Sequence, residues 1–496
     1  MLKTLREDGF DATAFERRDK VGGLWAYSEN PEYTSALPSL AGFPYYMKQH
    51  HFQEFMQEYA ENFNLLDHIV FNTTVRRAER NPENTKWLLD IVSGVDPVKT
   101  VGYDKVVFCH GYQTAAKIPN YPGQEQYTGT LIHAQRYRGP EEFQGKKIVV
   151  VGLSNTTSDV VPNLISVASQ VYVSHRRGAI PAARLRKGTP GDLLITWRRR
   201  IINQWLMKAV PTLHRKLSDQ IVNYAAKSFA GVPIDPAWRL QPYPSLTLRL
   251  PGMLEEVLPY LADGRLTSLH GIRRFVGMKS IEFEDGTVLD DVDAVIYCTG
   301  YKADWSAAPF VEMSTPTSHG YDGAPMHRLY MNLFPPQYAD SCALLCYSAF
   351  GKNNGFSFSD VMSMAISNIW RGVSSDMIPN KPEMEHWIDE RQEWVASRWA
   401  LDNACDISMV RQWEFQPWLH EAAGTGMENL GWGWKGWRFW LQDRMMSNLM
   451  NHGVETAHMF RYFETGKRRT WAGAREAIIH QNRVVKETFP IETTKP

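Results

Sequence analysis

Three clusters in the chain combine residue types suited to holding a dinucleotide. Glu16 closes the short run Asp11–Phe15, and Gly22-Gly23-Leu24-Trp25 follows it. An acid at the end of a strand accepts hydrogen bonds from ribose hydroxyls, and paired glycines let backbone approach a ligand closely. The second cluster is Gly152-Leu-Ser-Asn-Thr-Thr157, directly after Lys147–Val151. A turn between a buried strand and a helix aims backbone N–H groups and a positive helix end at a pyrophosphate. Its spacing departs from G-x-G-x-x-G, because Ser154 and Thr157 stand at the second and third glycine positions. The third cluster is Ser174, Arg176 and Arg177, one strand further on. Basic residues there suit the 2′-phosphate of NADPH, where an acid suits NADH. Taken singly, each has a plain alternative: a solvated acid, an ordinary turn, a basic corner. The chain has no nucleophile–base constellation and no metal-ligand spacing, so no catalytic side chain and no metal ligand is assigned.

These clusters need particular elements to position them. Asp11–Glu16 reads as a short strand, and Phe52, Phe55, Met56, Tyr59 and Phe63 give residues 50–67 a helical spacing. Short strands are expected at 68–75 and 86–92. Lys147–Val151 is a β-branched run, 156–168 a helix, and Gln170–Ser174 the next strand. Residues 178–260 read as mainly helical and irregular. Two short strands around 279–290 flank a turn at Glu284-Asp-Gly286. Two segments match in register, Asp104-Lys-Val-Val-Phe-Cys-His-Gly-Tyr112 and Asp293-Ala-Val-Ile-Tyr-Cys-Thr-Gly-Tyr301. Each is a strand-like run closed by glycine, which predicts two similar dinucleotide-binding units. Past residue 301 the composition shifts: 11 of the 17 Trp lie at or after position 370.

The composition narrows the function classes. The 496 residues carry 54 Lys+Arg against 54 Asp+Glu, so the formal charge is zero. Nucleic-acid binding needs clustered positive charge and is not expected. Five scattered cysteines, Cys109, Cys298, Cys342, Cys346 and Cys405, suit reduced thiols in a cytoplasmic setting. No apolar stretch is long enough to span a membrane, and the first residues lack the apolar core of a signal peptide.

Tyr127-Thr-Gly-Thr-Leu-Ile-His133-Ala-Gln-Arg-Tyr137 resembles the fingerprint F-x-G-x3-H-x3-Y of the flavin-containing monooxygenases, with Tyr127 in place of Phe. Glu16 to Trp25 is similar to that family's E-R-x-x-x-x-G-G-L-W, and 293–301 to its T-G-Y signature. Tyr137 disfavours the related Baeyer–Villiger enzymes, whose fingerprint usually ends in Trp. The resemblance covers most of residues 1–310 and loosens through about 373. It implies an α/β fold with two Rossmann-like dinucleotide-binding domains, the FAD domain interrupted by the NADPH domain, and a mostly helical C-terminal part. The expected boundaries are 1–140 for the first part of the FAD domain, 141–290 for the NADP domain, 291–373 for the FAD return, and 374–496 for the Trp-rich region. Carried over by position, Glu16 would bind the FAD ribose, and Leu24, Trp25 and Val75 would line the flavin site. Gly152, Asn155, Thr156 and Asp159 would surround the NADP pyrophosphate and ribose. Ser174 and Arg176 would hold the 2′-phosphate, and Thr299 would sit beside the cofactors.

The implied activity is an NADPH- and O2-dependent oxygenation of a small organic substrate through a C4a-hydroperoxyflavin. Alternatives are an uncoupled or non-catalytic relative that binds NADPH but holds FAD poorly, and a Baeyer–Villiger-type ketone oxygenase. Two departures from the family pattern bear on this. Met1-Leu-Lys-Thr-Leu corresponds to the helix after the family's first G-x-G-x-x-G loop. Trp25 also runs to Phe43-Pro44 without the segment that carries the family's active-site Asn, and Asn30 is not in a context to replace it.

Overall fold

The computed structural model describes residues 1–28, 47–111, 113–186, 188–229, 232–345, 355–403, 405–463 and 471–489. Asn30, Phe43-Pro44, Tyr112 and Cys346 lie outside these residues. The chain opens with helix α1 (Leu2–Glu7) and strand β1 (Ala14–Phe15). Helix α2 (Gln49–Asn62) follows. The helical spacing predicts it to 67, but it stops earlier because Asn64 adopts φ 51°. The Leu65 N–H then turns back to the Ala60 carbonyl at 2.8 Å, which closes the helix end. β2 (Ile69–Val70) pairs in parallel with β1. An antiparallel sheet of β3 (Thr73–Arg80), β4 (Trp87–Ser93) and β5 (Lys99–Tyr103) comes next, and β6 (Val106–Phe108) follows it.

The middle of the chain builds a second sheet. Its elements are β7 (Thr130–His133), β8 (Lys147–Val151), α3 (Asn155–Ile165) and β9 (Gln170–Ser174). Two basic helices, α4 (Trp197–Ala209) and α5 (Pro211–Phe229), precede β10 (Leu266–Leu269) and β11 (Ala294–Tyr297). The five strands lie in the order β10-β9-β8-β11-β7, all parallel. Successive side chains of a strand face opposite sides, and β8 shows the consequence. Ile148 and Val150 pack with Val160, Val161 and Leu164 of α3. Val149 and Val151 pack on the other face with Phe283, Val295 and Tyr297. Both faces are covered, which is why this strand reads as an unbroken β-branched run.

β12 (Cys342–Leu344) returns to pair in parallel with β6. The two-stranded pairs β1–β2 and β6–β12 are separate sheets, so β1 and β6 each keep one ladder edge unpaired among the described residues. Helices α6 (Gly355–Trp370), α7 (Lys381–Trp399), α8 (Gln412–Ala423), α9 (Trp434–Gln442), α10 (Arg444–His452) and α11 (Ala474–Thr488) complete the chain. α6 and α8 pack together in the largest apolar cluster, which includes Phe358, Ile366, Phe415 and Leu419. α1 joins it through polar groups as well, because the buried Asp8 accepts from Ser367 and lies 3.8 Å from Arg371. No helix among the described residues is long and apolar enough to cross a membrane.

Candidate functional site

The turn after β8 can hold only glycine at position 152. Gly152 adopts φ +109°, and a Cβ there would sit 2.5 Å from the Cys298 carbonyl oxygen. That carbonyl cannot retreat easily, because the Cys298 N–H donates to the Val151 carbonyl at 2.8 Å. The buried Thr157 hydroxyl donates back to the Gly152 carbonyl at 2.8 Å, which ties the turn to α3. Ser154 precedes α3 in an extended conformation and gives no side-chain cap. The Thr157 N–H donates to the Ser154 carbonyl at 2.9 Å, so the Asn155 and Thr156 amides are the ones left for solvent or an anionic ligand. Asn155 is oriented by the Met253 N–H, which donates to its Oδ1 at 2.9 Å. Burial raises the Asp159 carboxyl from 3.8 to about 6; Arg184 opposes the shift, while Glu256 and Glu255 add to it. Arg184 itself bridges Glu255 at 2.7 Å and Glu256 at 3.2 Å.

The end of β9 separates the residues that the sequence groups together. Ser174 is fully buried, and its hydroxyl donates to the His270 carbonyl at 2.7 Å. Its proton is thus committed to backbone. Arg177 pairs with Asp402 at 3.0 Å and also reaches Asn403. Arg176 is exposed at the rim, near Tyr121 and Glu284.

At the other end, the Glu16 N–H donates to the Val70 carbonyl at 3.0 Å, which extends the β1–β2 pairing by one residue. Its Oε1 accepts from the Arg18 N–H at 2.9 Å, so the carboxylate is held at the strand terminus. Gly22 and Gly23 take φ 118° and 54° and feed a tight turn through Trp25. Trp25 is anchored from α2, where the Phe52 ring lies 4.9 Å away and the Gln49 amide donates to the Trp25 carbonyl. Val75 sits half-buried on β3. The Thr299 hydroxyl donates to the Lys117 carbonyl at 2.5 Å.

The candidate cofactor-binding residues singled out from the sequence line one cavity of about 2660 Å³. Glu16, Leu24, Trp25 and Val75 line one end; Gly152, Asn155, Thr156, Asp159, Ser174 and Arg176 line the other; Thr299 lies among the residues of the β11 return. A pocket for one drug-sized ligand is about 300–1,000 Å³, so this cavity has room for two dinucleotides. The two echoing segments both end there, with Cys109–Gly111 and Cys298–Tyr301 in the lining.

The structure also brings together three residues that the sequence does not group. Trp305 and His327 lie with rings 4.0 Å apart, and His110 stands edge-on to Trp305 at 6.2 Å. All three line the cavity. Burial pushes the His327 imidazole down to about 3, with Arg391 adding to the effect, and lowers His110 as well. This wall is aromatic and uncharged at neutral pH. Its members come from distant segments with ordinary local spacing, so only the fold brings them together.

The fingerprint at 127–137 sits behind the cavity. Tyr127 donates to the Val292 carbonyl at 2.9 Å, and a Cβ at Gly129 would collide with the Asp293 carbonyl at 2.7 Å. Buried His133 accepts from the Gln135 N–H at Nδ1 (3.1 Å), which leaves Nε2–H to donate to the Gly300 carbonyl at 2.9 Å. Tyr137 stacks on Phe143 at 5.7 Å. These residues fasten β7 to the start and end of β11, so they fix the cavity floor rather than touch what enters it.

Comparisons with known proteins bear on the fold and on kinship. The family model of flavin-binding monooxygenase-like proteins matches residues 1–494. Monooxygenase aurF of Gibberella zeae is 32% identical over 97% of this chain and 94% of its own length. Among solved structures, S-allyl-L-cysteine S-oxygenase from Allium sativum matches with a TM-score of 0.58 at 16% identity, covering 98% of this chain and 96% of its own. Cyclohexanone monooxygenase from Rhodococcus sp. Phi1 bound to NADP+ matches with a TM-score of 0.54 at 18% identity, over 80% of this chain and 86% of its own. Those two likenesses bear on the α/β fold, while the family match and aurF bear on kinship: the chain belongs to the flavin-binding monooxygenase-like family.

Proposed function

We propose that this protein is an NADPH- and FAD-dependent monooxygenase that uses O2 to oxygenate a small organic substrate at nitrogen, sulfur or carbon. The observation that carries the reading is the convergence of Glu16, Gly152, Arg176 and Thr299 on one cavity large enough for both cofactors. The residues suit the two groups. The Asn155 and Thr156 amides at the start of α3 suit a pyrophosphate, Asp159 offers an acceptor and the Asn155 side-chain NH2 a donor to a ribose, and exposed Arg176 offers a cation to a 2′-phosphate. Glu16 offers a fixed carboxylate to the FAD ribose, and Leu24, Trp25 and Val75 offer apolar walls to the flavin ring. When bound, FAD would supply the redox chemistry, accepting electrons from NADPH and passing them to O2. The protein's share is positioning and water exclusion, for which Trp305 and His327 form an uncharged wall.

The division of labour follows the chain: 1–140 and 291–373 would hold FAD, 141–290 would hold NADPH, and 374–496 would buttress the site. A second reading, in which NADPH is bound but FAD is held weakly, draws on β1 and β6, whose residues line the flavin end and which each keep one ladder edge unpaired among the described residues. The test is NADPH consumption with and without added FAD, with hydrogen peroxide measured alongside. Oxidised-flavin absorption in the purified protein and FAD-dependent NADPH oxidation are expected. A protein that takes up no flavin even from excess FAD would refute the first reading and support the second.

A further inference from the structure

Helix α9 is apolar on the wrong side. Gly436 and Phe439 are buried against the molecule, yet the exposed side carries Trp434, Trp437, Trp440 and Leu441 beside Lys435 and Arg438. Trp434 is 76% exposed and Trp437 59%. A helix at an ordinary protein surface presents charged or polar side chains outward, and contiguous exposed aromatics mark a contact site. The patch continues onto α4. The Arg198 guanidinium lies 5.2 Å from the centre of the Trp432 ring. Ile202 and Trp205 follow Arg198 at i+4 and i+7, on the same face of the helix, and both are exposed.

Charge decides what covers this surface. The chain as a whole is neutral, but α4 and α9 contain no acidic residue. Arg199 and Lys208 on α4, Lys435 and Arg438 on α9, and Arg444 at the start of α10 are exposed, with Lys435 paired to Glu428. The neighbouring acids are engaged, Glu428 by Lys435 at 3.1 Å and Asp443 by Arg475. Arg444 also lies over the Trp440 ring at 4.4 Å. Tryptophan and basic side chains together match the headgroup zone of an anionic bilayer, where the indole is amphipathic and the cation meets phosphate. A second copy of the chain is a poor occupant, because a self-complementary contact would set Arg438 and Lys435 against like charge.

We infer that the α4–α9 surface docks peripherally on anionic lipid membranes, with Trp434 and Trp437 seated among the headgroups. The docking would place the chain at a membrane interface.

The probe is flotation of the full chain with vesicles of phosphatidylcholine alone or mixed with phosphatidylglycerol, at low and high salt. Co-flotation with the anionic vesicles, weakening as salt screens the cations, is expected. The W434S/W437S and K435E/R438E variants should each weaken it by about 10-fold or more, with circular dichroism and NADPH binding unchanged. Quenching of tryptophan fluorescence by brominated lipid should fall in the first variant. No binding to anionic vesicles, binding indifferent to both variants, or a stable dimer that the variants dissociate would each overturn the inference.

Discussion

Asp159→Asn should make the ligand-free protein more stable while weakening its grip on NADPH. The carboxyl titrates near 3.8 when exposed and at about 6 in the fold. The folded state therefore holds the proton longer than the unfolded chain does. Stability falls as pH rises from about 4 to 6 and stays reduced above that, because the ionised form is the one that burial penalises. At about 1.36 kcal/mol per pH unit, a shift of this size corresponds to roughly 3 kcal/mol at pH 8. The cavity is open to water, and Arg184 already offsets part of the cost. A gain of about 1–2 kcal/mol is the realistic expectation. For a chain of this length that amounts to about 1–2 °C in melting temperature. The assay is thermal unfolding of wild type and D159N, without nucleotide, at pH 8 and pH 5. The difference should shrink by roughly half at pH 5, where the folded carboxyl is already protonated. In the same variant, KM for NADPH should rise, because an amide is a poorer acceptor for a ribose hydroxyl. A stability gain that does not vary with pH, or none at all, would refute the claim that the cavity penalises this charge.

Other outcomes follow from the same geometry. Gly152→Ala places a methyl group against the Cys298 carbonyl at a positive φ, and should cost about 2–4 kcal/mol in chemical denaturation. Arg176→Ala should raise KM for NADPH by about 10-fold or more while leaving that for NADH nearly unchanged; equal effects on both would show that the guanidinium does not meet the 2′-phosphate. His133→Phe removes the partners of the Gly300 carbonyl and the Gln135 amide, at about 1–3 kcal/mol each, and should lower stability without a specific effect on nucleotide affinity.

Much of the α/β framework was legible because buried parallel strands leave a strong mark. Lys147–Val151 is β-branched because both faces of β8 are covered. That Glu16, Gly152 and Arg176 stand at strand ends was legible because position at a strand end is a local property. The roles of Tyr127, Gly129 and His133 were not legible, since their partners Val292, Asp293 and Gly300 lie far along the chain. The aromatic wall of His110, Trp305 and His327 was hidden for the same reason. The end of α2 was missed because one left-handed asparagine overrode an apolar pattern that continues to Phe63. Ser174 was read by residue type alone, and the hydrogen bond that occupies its hydroxyl needs the fold to be seen.

The ladder edges of β1 and β6 that stay unpaired among the described residues carry a consequence for handling the protein. Exposed main-chain edges are templates for strands from other molecules, and folded proteins usually cover them. Residues of both strands, Ala14, Phe15 and Val106 to Phe108, line the cavity. A cofactor filling that space would shield them from a neighbouring chain, so its loss would expose an adhesive seam as well as end turnover. Colloidal shelf life, followed by light scattering, should therefore lengthen with flavin occupancy, independently of any gain in melting temperature.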